Sequence, residues 1–298
     1  MSDLSKIVKA YDVRGTVPDQ FDESVARALG TAFVEMLRES GDDADQMVIA
    51  HDMRESGPGL ATAFGRGANA AGASVISIGL ASTDELYYAS GSLGLPGAMF
   101  TASHNPAQYN GIKLCRAGAK PVGQDSGLAV VRRRAEELLA DLNAEADGPY
   151  RMVTRDLLGD YAAHLRSLVD LSGIRPLKVI VDAGNGMGGF TVPAVLGDQV
   201  LPALPLTIVP MYFELDGTFP NHEANPLEPA NLSTCRPGSA RPAPTSGSPS
   251  TATPTAASSS TKRARRSRRR PSRAWWPAAK SPARKRRARQ RPPSSTTS

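Results

Sequence analysis

The chain of 298 residues has few of the residues that usually mark disulfide frameworks, metal sites or membrane spans. It contains only two cysteines, Cys115 and Cys235, which lie in parts of unlike composition and match no disulfide framework or metal-binding spacing. No segment approaches the run of about 18 apolar residues that a membrane-spanning helix requires. The first ten residues lack the apolar stretch of a secretory signal. We therefore expect a cytoplasmic protein with no membrane partner.

Acidic residues are absent from the last part of the chain. Residues 229–298 contain 17 Lys and Arg but no Asp or Glu, which leaves 18 of the 35 basic residues and all 29 acidic residues in residues 1–228. The net charge of +6 is thus an average over two unlike segments, and alone it does not indicate a nucleic-acid-binding protein. Residues 233–298 also have almost no large aliphatic side chains to offset the entropy of ordering. We predict a disordered, basic, low-complexity tail there.

The front of the chain alternates helical and extended patterns. Apolar residues at helical spacing predict a helix over residues 22–39, and further helices are predicted over about 58–71, 83–90 and 125–140. Short apolar runs between them predict strands at 47–50, 73–78 and 98–100. This alternation predicts a layered α/β domain with a mixed sheet over residues 1–150.

A second, incomplete α/β domain is predicted over residues 151–232. A helical pattern from about 154 to 171 precedes the apolar run at 177–181, which suits a strand covered on both faces. A glycine-rich strand-to-helix turn follows at 182–189, and another strand is predicted at about 206–210.

A polar loop follows the strand at 98–100. It places Ser103 next to His104, and its Asn-Pro and Asn-Gly pairs, at 105–106 and 110–111, are typical of turns. Ligands of α/β folds usually bind at the carboxyl ends of strands. A serine hydroxyl beside a histidine can accept a phosphoryl group, but Ser and Asn are also ordinary turn residues. Taken alone, these residue types favour the plain turn.

Four strings in a fixed order resemble the α-D-phosphohexomutase family, of the phosphomannomutase/phosphoglucomutase type. Residues 101–106 (T-A-S-H-N-P), continued by Y-N-G-I-K at 109–113, resemble its phosphoserine loop. Residues 10–15 (A-Y-D-V-R-G) resemble its N-terminal substrate loop, and residues 181–188 and 216–226 resemble segments of its second domain. Four matches in register over about residues 7–232 are far more specific than any one of them.

The resemblance implies a phosphate relay through Ser103. In this family the phosphoserine gives its phosphate to a hexose 1- or 6-phosphate, the bisphosphate reorients, and the other phosphate returns to the serine. His104, Lys113 and Arg14 would handle protons and offset negative charge, and Tyr11 with Arg14 would bind the substrate. The phosphate on Ser103 would also give Mg²⁺ one oxygen ligand. The implied substrates are mannose or glucose 1- and 6-phosphates.

The resemblance also implies an acidic D-G-D-x-D-R loop for Mg²⁺ shortly after residue 232, and two further domains. Residues 233–298 supply no carboxylate. Read in a shifted frame, however, the codons of residues 251–256 (T-A-T-P-T-A) can encode D-G-D-A-D-R. We therefore hypothesise that the family sequence is truncated after about Leu232 by a frameshift, and we expect this chain to be inactive or nearly so.

The sequence leaves alternatives open for the function and for one arginine. Phosphoglucosamine mutase shares the serine-loop chemistry. A non-enzymatic alternative is a nucleic-acid-binding protein, because the basic clusters at 262–291, with Trp275 and Trp276 between them, can bind phosphates and stack on bases without sequence specificity. Arg54, in H-D-M-R at 51–54, is about as well explained by a surface ion pair as by a place in the active-site lining.

Overall fold

The computed structural model of the chain describes residues 3–141, 150–225 and 228–232. The predicted disordered tail and the predicted out-of-frame residues, both 233–298, lie outside the described residues. Within the described ranges, no helix is long and apolar enough to cross a membrane.

A mixed β-sheet forms the centre of the first domain. Its strands are β1 Val13–Thr16, β2 Gln46–His51, β3 Ser74–Leu80, β4 Gly97–Phe100, β5 Tyr109–Arg116, β6 Lys120–Pro121 and β7 Met152–Thr154. Their order in the sheet is β1-β5-β4-β2-β3-β7, with β6 paired to β5. Pairs β4–β2, β2–β3 and β3–β7 are parallel, whereas β1–β5 and β5–β4 are antiparallel.

Helices cover both faces of this sheet. Helices α1 (Glu23–Glu39), α2 (Gly57–Ala70) and α4 (Leu128–Ala140) lie over one face, and α3 (Thr83–Leu93) lies over the other. The apolar run of β2 is continuous because both faces of the strand are buried. Met47 and Ile49 join the core beneath α1 and α2, while Val48 and Ala50 join the core beneath α3. The predicted layered α/β fold with a mixed sheet is confirmed.

Three short strands escaped the sequence patterns: β1, β7 and β6, which has only two residues. Strand β1 overlaps the end of the string at 10–15, and its four residues, which include a glycine, are too few to show alternation. Strand β7 begins just past the predicted domain boundary at residue 150, yet it pairs with β3 in the first sheet. All three residues of β7 are exposed, so it lacks the apolar signal of a buried strand. The domain boundaries stay a prediction.

The second unit is a smaller α/β arrangement. It contains α5 (Leu158–Ser167), β8 (Leu177–Asp182), α6 (Gly188–Val195) and β9 (Leu206–Met211), with β8 and β9 paired in parallel. Helix α5 is shorter than the helix predicted over 154–171. Among the residues described, this sheet has two strands, and the Ile180 side chain is 38% exposed. The prediction of an incomplete second α/β domain is confirmed.

Candidate active site

Ser103 lies in the loop between β4 and β5, at the carboxyl end of β4. It is half-buried, and its φ of 54° falls in the left-handed region, which residues other than glycine rarely adopt. The Ser103 N–H donates to Thr101 Oγ1 at 2.9 Å, and the Asn105 N–H donates to the Ala102 carbonyl at 3.1 Å. These contacts hold the serine in an uncommon conformation, as is frequent at functional sites.

Two predicted site residues beside the loop are exposed to solvent. The His104 Nδ1 lies 3.4 Å from Ser103 Oγ, a long contact that a bound substrate could tighten. The Tyr11 side chain is 81% exposed. The structure thus places His104 next to the serine hydroxyl, and the role of Tyr11 in shaping the sugar site stays a prediction.

Asp12 brings two of the predicted cationic residues together. Its Oδ2 accepts hydrogen bonds from Arg14 Nε at 2.8 Å and from Lys113 Nζ at 3.2 Å. The other side of the Arg14 guanidinium donates to Asn105 Oδ1, in the serine loop, at 2.6 Å. Arg14 is therefore tied to the loop directly, and Lys113 is tied to Arg14 through Asp12.

The pairing of β1 with β5 explains this cluster. Val13 lies opposite Ile112 and Arg14 lies opposite Gly111, so the same antiparallel register continued by one residue sets Asp12 opposite Lys113. A side chain on Gly111 would collide with the Val13 carbonyl oxygen, which explains the glycine of the Asn-Gly pair.

Sequence reasoning assigned no role to Asp12. A signal was present, because residues two apart in an extended segment point to the same face, and Asp12 and Arg14 have that spacing.

Arg54 is buried beneath the serine loop, with 2% of its surface exposed. Its ion pair with Asp52 exists, at 3.5 Å between Nε and Oδ2, but it is a buried pair and not the surface pair considered from the sequence. Burial lowers the pKa of the Arg54 guanidinium and raises the pKa of the Asp52 carboxyl, and the attraction between the two charges opposes both shifts.

The Arg54 guanidinium binds the backbone of the serine loop at four points. Its Nη1 donates to the carbonyls of Pro106 at 2.9 Å and Tyr109 at 2.7 Å. Its Nη2 donates to the carbonyls of Ser103 at 3.1 Å and Asn105 at 2.7 Å. Local sequence patterns could not reveal these contacts, because they join residues about 50 positions apart.

The two second-domain strings contact each other and reach the first domain. The Asn185 carbonyl accepts from the Asp216 N–H at 3.0 Å, and His222 Nε2 lies 3.1 Å from Asp182 Oδ2. Phe219, in the string at 216–226, has its ring centroid 4.9 Å from Arg54 Cζ. The second of these strings therefore contacts the arginine that holds the serine loop.

The resemblance predicts a bound Mg²⁺, which needs a group of oxygen ligands in the protein. In the ranges 3–141, 150–225 and 228–232, no group of three or more His, Cys, Asp or Glu residues is arranged to hold a metal ion. The described residues alone do not fit the predicted Mg²⁺ site, and no chemical step is derived through a metal.

Two family models match consecutive parts of the chain. The model described as phosphoglucomutase/phosphomannomutase, alpha/beta/alpha domain I, matches residues 5–139. The model for alpha/beta/alpha domain II of the same family matches residues 159–237, which runs slightly past the predicted break after Leu232.

Individual relatives agree with these family models. The chain is 41% identical over 75% of its length to "Phosphohexose mutases" of Xanthomonas campestris pv. campestris, and covers 47% of that protein. It is 36% identical over 78% of its length to a phosphomannomutase of Vibrio cholerae, and covers 49% of it. The crystal structure of a phosphoglucomutase/phosphomannomutase family protein from Burkholderia thailandensis matches with a TM-score of 0.64 and 32% identity, over 76% of this chain and 48% of that one.

The matches are therefore consistent in fold, in sequence and in the part of the relatives that they cover. The chain spans about half the length of the curated relatives it matches. On the two consecutive domain matches and the identity to these relatives, the chain belongs to the phosphoglucomutase/phosphomannomutase family.

Proposed function

We propose that this chain carries the phosphoryl-transfer serine of an enzyme that interconverts hexose 1-phosphates and 6-phosphates. The observation that carries the proposal is Ser103, fixed in a left-handed conformation in a loop to which Arg14 is hydrogen-bonded. The names of the relatives, phosphohexose mutases and phosphomannomutases, support mannose or glucose phosphates as substrates. In this proposal residues 1–150 supply the phosphoserine domain and residues 151–232 supply part of the second domain.

The proposed transfer exchanges one oxygen–phosphorus bond for another. The bond between phosphorus and Ser103 Oγ breaks while the phosphorus bonds to a hydroxyl oxygen of the hexose phosphate. The sugar hydroxyl loses a proton and Ser103 Oγ gains one. We assign His104 as the donor of that proton, and its Nδ1 at 3.4 Å from Ser103 Oγ supports this role. The return step runs in reverse with the other phosphate of the bisphosphate.

Arg14 and Lys113 are the proposed cations for the transferring phosphoryl group. Both are about three-quarters buried or more at their side chains, so their charges are less screened than charges at the surface. Asp12 is placed to orient both through one carboxylate oxygen. The cluster of two cations and one anion keeps a net positive charge beside the loop, which favours a phosphate dianion there.

Two further features of the proposal concern the substrate and the metal. Tyr11, exposed next to this cluster, is the proposed contact for the sugar ring. Mg²⁺ remains the expected cofactor of a complete enzyme, with carboxylates of a D-G-D-x-D-R loop as its ligands and one oxygen from the phosphate on Ser103.

The experiment compares this chain with the product of the gene whose reading frame is restored after codon 232. We expect conversion of mannose 1-phosphate to mannose 6-phosphate by the restored product, loss of that activity in its Ser103→Ala variant, and full activity in Ser92→Ala, an exposed serine of α3. The 298-residue chain should show no turnover. A restored product active only on glucosamine phosphates would support phosphoglucosamine mutase instead, and activity independent of Ser103 would contradict the mechanism.

A further inference from the structure

Arg54 contacts both the serine loop of the first domain and a turn of the second domain. One is the backbone of the serine loop, where its two terminal nitrogens donate to four carbonyls. The other is the turn at residues 216–219 of the second domain, whose Phe219 ring lies against the guanidinium. The side chain itself is buried, so it is not placed to meet a substrate.

The contact with the Ser103 carbonyl bears on the conformation of the serine itself. A left-handed backbone at a residue with a side chain costs free energy, and it persists only where surrounding contacts impose it. Here the Ser103 N–H is held by Thr101 Oγ1 and the Ser103 carbonyl is held by Arg54 Nη2. The planar guanidinium donates from two nitrogens to four carbonyls of the loop at once, whereas an ammonium group donates from a single nitrogen.

The second-domain turn leaves Arg54 little freedom. A side chain on Gly217 would come within 2.9 Å of Arg54 Cα and 3.2 Å of the Met53 carbonyl oxygen, so the two backbones are in close contact. Phe219 covers the guanidinium with its ring, an attraction that increases when the cation is desolvated. The turn therefore packs against both the backbone and the guanidinium of Arg54, which lies between β2 and α2.

We propose that Arg54 is a positioning residue for Ser103 and that the second-domain turn, through Phe219 and Gly217, holds Arg54 in place. Docking of the second domain then fixes the geometry of the serine loop. One consequence of this inference, the rate at which Ser103 accepts phosphate, rests on the proposed function. Its structural part, the order of the loop, can be measured without any activity.

The first measurement is amide hydrogen exchange of the full chain in the loop peptide that spans residues 101–110. Arg54→Lys keeps the positive charge but removes the guanidinium that binds four loop carbonyls. Amide exchange in this peptide should therefore be at least about tenfold faster. Phe219→Leu keeps an apolar contact but loses the ring, and a smaller increase of about threefold is expected. Gly217→Ala pushes the turn away from Arg54 and should also speed exchange in the loop, although it alters no loop residue.

Arg166→Lys is the matched control. Arg166 also binds backbone carbonyls, those of Val195, Gly197 and Pro202, but it does so in the second domain. It should speed exchange near residues 195–202 and leave the serine loop unchanged. If Arg54→Lys fails to fold, Phe219→Leu and Gly217→Ala still decide the matter. Exchange that is unchanged in the loop, or raised equally throughout the first domain, would overturn the inference.

The second measurement separates this inference from the proposed function. Each variant is incubated with a hexose 1,6-bisphosphate, and the rate of phosphate appearance on Ser103 is followed. We expect a rate at least about tenfold lower for Arg54→Lys and an unchanged rate for Arg166→Lys. If the parent chain accepts no phosphate, the variants are compared in the product of the frame-restored gene. If that product accepts none either, the proposed function fails while the exchange result still stands. If the parent accepts phosphate and Arg54→Lys accepts it equally fast, the positioning role fails alone.

Discussion

Glu85 is a buried carboxyl group outside the proposed site. Its side chain lies at the start of α3 with 2% of the residue exposed, and its backbone N–H donates to Ser82 Oγ at 3.2 Å. Burial raises the pKa of Glu85 to about 7, the nearby Asp156 charge adds to the rise, and a backbone hydrogen bond from Ser82 opposes it. The folded protein therefore binds a proton here that the unfolded chain releases near pH 4.5.

This shift predicts how stability depends on pH. Between about pH 4.5 and pH 7 the folded state holds one more proton than the unfolded state, so the free energy of unfolding should fall as pH rises through this window. Glu85→Gln should remove that slope and be more stable than the parent at pH 8 by about 1–3 kcal/mol. Urea unfolding at several pH values tests this, with the exposed Glu137→Gln as control. An unchanged slope in Glu85→Gln would contradict the assignment.

Single residues also show where sequence reasoning ends. Ser103, His104, Lys113, Arg14 and Tyr11 were identified by their place in family-like strings. The role of Arg54 depends on contacts with residues 103–109 and with Phe219, and neither follows from the residues next to it. The arrangement of Asp12 with Lys113 depends on the β1–β5 register, which no local pattern in the chain specifies.

At the scale of elements, α1 and α2 cross with their backbones in close contact. A side chain on Gly30 would collide with the Phe64 carbonyl oxygen, and one on Gly67 would collide with the Arg27 carbonyl oxygen. Each added carbon would meet a backbone carbonyl of the other helix, and no flexible side chain could move aside to relieve the collision. The two glycines thus set the distance between the helices that cover the main core.

Gly30→Ala should therefore destabilise the first domain. We expect a loss of about 2–4 kcal/mol in the free energy of unfolding, because the added methyl group forces the helices apart. Gly91→Ala is the matched control: it lies in α3 with no atom within 4 Å of the added carbon, and should gain about 0.5–1 kcal/mol. Denaturant midpoints with unchanged slopes measure both effects. Equal effects of the two changes would contradict the close crossing.

Elements were predictable where one face or both faces are buried. Helix α1 follows from its apolar spacing and begins after Asp22, whose carboxylate caps it by accepting the Val25 N–H at 2.8 Å. Strand β8 follows from its apolar run, but it is not covered on both faces as that run predicted, because Lys178 and Ile180 are exposed. Strands β1, β6 and β7 were missed because they are short, and β6 and β7 are wholly exposed. Pairing with a neighbouring strand therefore decides their conformation, rather than their own residues.

At the scale of the whole molecule, the two α/β units differ in how well they are covered. The first has helices on both faces of a mixed sheet and a large core. The second, in its described part, has a two-stranded sheet in which Ile180 is 38% exposed, and Val200, in the segment between α6 and β9, is 39% exposed. A small, partly uncovered sheet is expected to open more readily.

Limited proteolysis should reveal this difference. Trypsin is expected to cut first in the basic tail predicted to be disordered. Within the two α/β units, it should cut first at basic residues of the second unit, such as the exposed Lys178, while a fragment that contains residues 13–140 persists. Mass spectrometry of the early fragments identifies the sites. Equal protection through residues 154–232 would contradict the expectation that this unit is the less stable one.

The central claim is that Ser103 accepts the phosphoryl group. The most direct test is to incubate the 298-residue chain and its Ser103→Ala variant with a hexose 1,6-bisphosphate and excess Mg²⁺, and to map phosphopeptides by mass spectrometry. The account predicts slow, stoichiometric phosphorylation of the parent chain at Ser103 and none at that peptide in the variant. Phosphate on another residue, or no phosphate on Ser103 of either the folded parent chain or the product of the frame-restored gene, would contradict it.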